Sequence, residues 1–301
     1  ALIGAGCASL SVVNDLAPLG YECTIFEKLD VTGGLMRSNI PSFRLPAKVL
    51  NEEIEMILGM GHVQLKTNQA VASMKALLGE GYNAIFVGSG APRGKELNIP
   101  GRQEAGNNIH IGIDWLESVA FGHTEAIGKQ VLIIGVGNTA MDCCRTSRRL
   151  GGEEVKVVVR SPFSEMKASP WEKEDAIHEG IPILNFMVPK SFEHQDGKLT
   201  GMLFEKVKLE FDEKGRRRLV PTGEPEQLVA CDDVLIAVGQ ENVYPWIERD
   251  IGLQFDEYSM PVVDKASLQS SLDKVFIGGD AAFGPKNIIW AVAHGHEAAI
   301  S

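Results

Sequence analysis

Two glycine fingerprints, Gly4-Ala5-Gly6-Cys7-Ala8-Ser9 and Gly135-Val136-Gly137-Asn138-Thr139-Ala140, lie about 131 residues apart in this 301-residue chain. Each follows an apolar run that reads as a buried parallel strand, Leu2-Ile3 and Val131-Leu132-Ile133-Ile134, and each opens a stretch with helical spacing. The first glycine of such a motif makes the tight strand-to-helix turn, and the second lets the backbone approach a pyrophosphate. The helix N-terminus then offers free N–H groups and a partial positive charge. A single short glycine pattern arises by chance. Two in the same setting predict an α/β chain with two Rossmann-like dinucleotide-binding units.

The residue that ends the second strand of each unit separates the two nucleotides. An acid there accepts the adenosine ribose hydroxyls. Tyr21-Glu22-Cys23-Thr24-Ile25-Phe26 reads as a strand, and Glu27 closes it. In the second unit the strand is Val155-Lys156-Val157-Val158-Val159, and Arg160 stands where the acid is expected. A carboxylate repels a ribose 2′-phosphate, whereas a guanidinium pairs with it through two charge-assisted hydrogen bonds. With Lys167 as a second cation, the second unit is expected to take NADP(H). Ordinary surface roles for Glu27 and Arg160 are the competing readings.

The chain is long enough for two domains. Its 44% apolar and 23% charged residues describe a globular protein in water, and the net charge of −11 argues against a general nucleic-acid binder. Lys214 and Arg216-Arg217-Arg218, beside a turn-like Asp212-Glu213-Lys214-Gly215, read as a solvated hairpin. No apolar run is long enough for a membrane span, and no secretory signal is present. Five cysteines (Cys7, Cys23, Cys143, Cys144, Cys231) form no C-x-x-C pair and no metal-ligand spacing. They read as packing thiols of a cytoplasmic protein, with neither a redox disulfide nor a metal centre of their own. The abrupt start at Ala1 and the mid-helix end at Ser301 read as an excerpt of a longer polypeptide.

The pattern along the chain predicts one domain split around another. Residues 1–110 and 241–301 are assigned to the first, 111–240 to the second. Within them, a helix is expected from Ala47 to Leu58. Another begins at the capping box Ser169-Pro170-Trp171-Glu172. A hairpin is read over Met202–Phe211 and Arg218–Val220, and buried strands at Asp233–Val238 and Val275–Ile277. A last helix follows Asn287.

Several strings then become specific: Glu27-Lys28, Gly33-Gly34-Leu35, Ile40-Pro41-Ser42-Phe43-Arg44-Leu45-Pro46, Gly137-Asn138-Thr139-Ala140-Met141-Asp142-Cys143, Arg160 with Glu165-Met166-Lys167-Ala168, and Gly278-Gly279-Asp280. Together they resemble the glutamate synthase small (beta) subunit family of FAD/NADPH oxidoreductases, which includes the FAD/NADPH domains of dihydropyrimidine dehydrogenase. The resemblance runs from Ala1 to Ser301. It implies a glutathione/thioredoxin-reductase-like fold in which an NADP domain is inserted into a split FAD domain.

By resemblance, Gly4, Ala5, Gly6, Cys7 and Ala8 hold the FAD pyrophosphate and Glu27 the adenosine ribose. Gly34, Leu35 and Arg44 line FAD, while Gly279 and Asp280 meet its ribityl chain. Asn287 lies beside the flavin, where a helix N-terminus points at the N1/O2 edge. Val136, Gly137, Asn138 and Thr139 match the NADPH pyrophosphate loop, Arg160 and Lys167 its 2′-phosphate site, and Ala237, Val238 and Gly239 a strand end near the nicotinamide. The chain departs from the family at Cys7 (usually proline), Ser9, Ser161 (often basic) and His294-Gly295-His296, where an arginine often follows the glycine. Either histidine reads as a proton-handling group or as a packed or capped one.

The implied activity is electron transfer between NADPH and, through FAD, an iron–sulfur cluster or ferredoxin-type partner. Such hydride chemistry belongs to the cofactors, so no catalytic side chain is assigned. Two alternatives stay open: a stand-alone reductase of a small molecule or quinone, and a non-catalytic subunit of a larger redox complex.

Overall fold

The computed structural model describes all residues from Ala1 to Ser301. The chain opens with β1 (Leu2–Ile3), α1 (Cys7–Leu16), β2 (Cys23–Phe26), α2 (Ala47–Leu58), β3 (Val63–Lys66) and β4 (Ile85–Val87). There follow β5 (Ile109–Ile111), α3 (Gly112–Ala120), β6 (Gln130–Ile134), α4 (Asn138–Arg149), β7 (Glu154–Val158), α5 (Pro170–His178) and β8 (Ile183–Leu184). Next come β9 (Met187–Gln195), β10 (Lys198–Phe211), β11 (Arg217–Pro221), β12 (Gln227–Ala230) and β13 (Asp233–Ile236). The chain closes with β14 (Val275–Ile277) and α6 (Ile288–Ile300).

Two compact units result, Ala1–Arg93 with Gln240–Ser301, and Gly94–Gly239. The boundary lies before the expected 110/111 because Ile109–Ile111 is not a connection. It is β5, paired in parallel with β13 from Val234↔Ile109 to Ile236↔Ile111, which draws the preceding residues into the inserted unit.

The split unit has a five-stranded parallel sheet in the order β14-β4-β1-β2-β3. Successive strand residues face opposite sides. Leu2 and Ile25 enter one apolar layer with α1 and α6, while Ile3, Ile85, Val87, Val275 and Ile277 enter the other. Burial on both faces accounts for apolar runs without polar alternation. Helices α1 and α6 cross closely at Gly295, where a Cβ would come within 2.5 Å of both Ala8 O and Ser11 Cβ.

The inserted unit repeats this plan in the order β5-β13-β6-β7-β8, again all parallel. Val131 and Ile133 face the layer holding α4, and Leu132 and Ile134 face the opposite layer. That second layer is an antiparallel sheet, β9-β10-β11 with β12 also on β10. The hairpin expected over residues 202–220 is its β10–β11 arm. In both units the fingerprint strand is the central one. The chain leaves it to one side and returns on the other, which makes a switch point with its crevice at the strands' carboxyl ends.

Two local expectations change. The strand before Glu27 begins at Cys23, leaving Tyr21 exposed. Helix α5 does start at Pro170, yet the Ser169 side chain makes no capping bond. The box does not close because Glu172 turns inward, where it is 4% exposed and meets Arg145 Nη1 of α4 at 3.1 Å.

Candidate dinucleotide sites

In the split unit, β1 ends at Gly4, whose φ of +89° only glycine adopts cheaply; a Cβ there would lie 2.9 Å from Gly88 O. Gly4 N–H donates to Phe26 O at 2.8 Å, which fixes the fingerprint beside the end of β2. Glu27, next after Phe26, is 5% exposed. Its Oε2 accepts from Ala5 N–H at 2.8 Å and its Oε1 from Leu29 N–H at 2.9 Å. A carboxylate has about four lone-pair sites, so acceptor capacity remains for ribose hydroxyls.

Gly6 is the N-cap of α1, and nothing stands within 4 Å of where its Cβ would be. The N–H groups of the first helical turn have no intrahelical acceptors. Gly34 closes over this loop, its missing Cβ 3.1 Å from Gly6 Cα, and Gly33 N–H donates to Ala5 O at 2.9 Å. Leu35 begins the one-turn helix Leu35–Ser38, and Arg44 ends a turn in which its N–H meets Pro41 O. From the far end of the chain, Gly279 sits with its missing Cβ 3.1 Å from Ala8 Cβ.

Asp280 follows, part-buried, with Oδ1 accepting from Lys286 N–H at 3.0 Å. Burial pushes its carboxyl up to about 6, against the opposing pull of Lys286. Burial and the nearby Asp280 charge also push the Cys7 thiol up to about 11, so desolvation outweighs the helix N-terminus that would favour a thiolate. Asn287 is the N-cap of α6, its Oδ1 accepting from Trp290 N–H at 3.2 Å. Residues 4–8, 27, 33–34 and 279–280 thus meet around one loop.

The third fingerprint position, Ser9, is fully buried against Gly88, which has no room for a side chain beside it. His296 Nδ1 meets Asp15 Oδ2 at 2.5 Å, an inter-helix tie between α6 and α1. His294 packs against Phe283 with ring centroids 4.5 Å apart and planes tilted by 45°, and burial keeps its imidazole below the usual range.

The inserted unit builds an analogous strand–loop–helix turn, without the positive φ seen at Gly4. Gly135 lies under Ala237, whose carbonyl occupies the place of its Cβ, and Ala237 N–H donates to Ile134 O at 2.7 Å. The Ala237-Val238-Gly239 strand end is therefore beside the fingerprint. Gly137 caps α4, and nothing lies within 4 Å of its Cβ position. Val136 O accepts from Ala168 N–H at 2.9 Å, and Asn138 Oδ1 accepts from Ser169 N–H at 2.8 Å. Thr139 occupies the first turn of α4.

Register corrects one expectation. Gly4 N–H bonds Phe26 O and Gly135 N–H bonds Val158 O, so the counterpart of Glu27 is Val159, 2% exposed, and Arg160 is one residue further on. The offset arose because the end of β7 cannot be read to a single residue from an apolar run. An acid is still missing, and Arg160 and Lys167 are both exposed cations without an ion pair or hydrogen bond.

The open space at Gly6 and Gly137, and the free helix ends beneath it, fit two pyrophosphate-bearing cofactors. The residue types around them differ, a buried carboxylate in one and free cations in the other. Nothing comparable exists for thiol chemistry. All five cysteines are free, and Cys143 and Cys144 are buried, with thiol protons directed at Gly112 O and Met141 O. Desolvation raises the pKa of both.

The chain is 36% identical over 305 residues to the NADP(+)-dependent formate dehydrogenase subunit beta of Moorella thermoacetica, covering 100% of this chain and 43% of that one. It is 31% identical over 326 residues to the NADPH-Fe(3+) oxidoreductase subunit beta of Geobacter sulfurreducens, covering 99% and 48%. With the glutamate synthase [NADPH] small chain of Escherichia coli the identity is 30% over 319 residues, covering 99% and 66%. The chain thus spans less than half the length of the first two relatives.

Among solved structures, a variant of FprA from Mycobacterium tuberculosis superposes with a TM-score of 0.81 at 18% identity, over 99% of this chain and 82% of that one. The thioredoxin reductase of T. acidophilum does so with 0.77 at 21%, over 99% and 95%. The shared fold is the glutathione/thioredoxin-reductase-like pair of Rossmann units. Residues 1–295 match the family described as pyridine nucleotide-disulphide oxidoreductase, and the chain belongs to that family.

Proposed function

We propose that this chain is an FAD-dependent NADP(H) oxidoreductase module that exchanges electrons with an iron–sulfur cluster or ferredoxin-type partner. The observation that carries the reading is the contrast between two analogous loops. One is closed by the buried carboxylate of Glu27, the other by Val159 with the free cations Arg160 and Lys167. The first suits unphosphorylated adenosine ribose of FAD, the second the 2′-phosphate of NADP(H).

When bound, the two cofactors supply hydride chemistry between nicotinamide and flavin. The protein's own residues bind and orient. N–H groups at the start of α1 would meet the FAD pyrophosphate, with Gly34 and Gly279 closing on the loop. Asp280 would meet the ribityl chain, and the positive N-terminal end of the Asn287-capped helix would favour the negative charge that a reduced flavin carries. Gly137, Asn138 and Thr139 would hold the second pyrophosphate. No side chain is needed as nucleophile or general base.

An acceptor outside these residues is supported by the relatives, which are named as subunits or a small chain and exceed this chain in length. No group of three or more His, Cys, Asp or Glu side chains is placed to hold a metal ion. Free thiols suit a reducing, cytoplasmic setting, and no helix is long and apolar enough to cross a membrane. The nucleotide assignment is tested by Arg160→Glu, read by equilibrium binding. The expected result is NADPH weakened by about 2 kcal/mol, roughly 30-fold, with NADH spared. Equal loss for both nucleotides contradicts the assignment.

A further inference from the structure

The strap from Arg160 to Ala168 carries two cations, Arg160 and Lys167, and one carboxylate, Glu165. It is fastened to the fingerprint loop by the Ala168–Val136 backbone bond and, just beyond, by Ser169 N–H on Asn138 Oδ1. Its net charge is therefore held beside the loop that cradles a pyrophosphate. A lone carboxylate between Arg160 and Lys167 opposes the 2′-phosphate that these two cations would hold.

The structure supplies the remedy from a distant part of the chain. The basic cluster 216–218 does not act as one solvated patch. Arg216 and Arg218 turn back to Asp212, at 2.8 and 3.6 Å. Arg217, between them at the start of β11, instead pairs with Glu165. The side chains are 39% and 34% exposed, so the pair contributes little to stability. The hairpin is already held by the β10–β11 register from Val207↔Pro221 to Phe211↔Arg217. The consequence of the pair is electrostatic: the strap keeps both cations and loses its only negative charge.

We infer that Arg217 is a specificity-determining residue for NADP(H), acting by neutralising Glu165 so that the 160–168 strap stays cationic toward a 2′-phosphate. This rests on the assignment of NADP(H) to the inserted unit. A nucleotide lacking that phosphate is indifferent to the pair.

The test is equilibrium binding of NADPH and of NADH to the FAD-loaded protein, at low and at high salt, without turnover. Arg217→Gln is expected to raise the Kd for NADPH about five- to tenfold at low salt and to leave that for NADH within about twofold. Adding Glu165→Gln to it restores NADPH binding to within about twofold of the parent, and Arg217→Lys retains it. Unchanged NADPH affinity in Arg217→Gln, equal weakening of NADH, or absence of rescue by Glu165→Gln overturns the inference. If Arg160→Glu weakens NADPH and Arg217→Gln does not, this inference alone falls. If Arg160→Glu is also silent, the nucleotide assignment beneath it falls with it.

Discussion

Glu27 reaches back to the loop that opens its own unit, its Oε2 accepting the Ala5 N–H at 2.8 Å while Oε1 takes the Leu29 N–H at 2.9 Å. The carboxylate thus shapes the fingerprint before any ligand arrives. Glu27→Ala leaves two N–H groups without their acceptor in a buried place. It should destabilise the protein by about 2–3 kcal/mol and lower flavin retention. Denaturant unfolding and the flavin-to-protein ratio check both; unchanged flavin content contradicts the assigned role.

Gly6 and Gly137 separate binding from folding. Their φ values of −85° and −104° suit any residue, and open space faces both. Gly137→Val is expected to change stability by less than about 1 kcal/mol while weakening NADPH more than about tenfold and sparing bound flavin. Gly6→Val should lose flavin with equally little effect on the apoprotein. Gly4→Val is the contrast, because its positive φ and Gly88 O oppose any side chain, so it should impair folding itself.

Asp280 makes apoprotein stability depend on pH in a stated direction. Its folded pKa of about 6 lies above the ordinary 3.8, so the folded state binds the extra proton. Stability contributed by this group is therefore greatest at low pH and falls as pH rises from about 4 to about 6, flattening above. In Asp280→Asn this component vanishes, and the difference between the two unfolding profiles should slope only in that window. Parallel profiles would show that Asp280 is not desolvated.

Arg145 balances three acids between α4 and α5: Glu172 at 3.1 Å, Asp175 at 3.0 Å and Glu179 at 2.9 Å. Arg149 and then Arg145 hold the Glu179 carboxyl below its usual range. Arg145→Ala removes the guanidinium that compensates a buried carboxylate and should cost about 3–5 kcal/mol in thermal or denaturant unfolding. Arg145→Met, which keeps the packing, should still cost more than Arg149→Met at the exposed end of the network.

The features legible in the sequence are those set by neighbours along the chain. The fingerprints, Glu27 and the cationic strap announce themselves because a strand, a glycine turn and a helix follow one another within a few residues. What escaped depends on partners far away. Asn242, which donates to Gly90 O at 3.1 Å and to Asp280 O at 2.5 Å, steadies the Asp280 loop across 152 and 38 residues of sequence separation. No local pattern marks it. Strand β9 shows no clear period-two alternation, because Pro189 and the irregular register around it interrupt the pattern. Glu172 matched a capping box by spacing, but charge balance with Arg145 decided its direction.

The most direct test of two cofactors acting as one electron path is anaerobic titration of the FAD-reconstituted protein with NADPH, followed by its visible absorbance. The account predicts a bound flavin that bleaches stoichiometrically with NADPH and far less readily with NADH. Protein that takes up no flavin, or flavin that stays oxidised under excess NADPH, contradicts it.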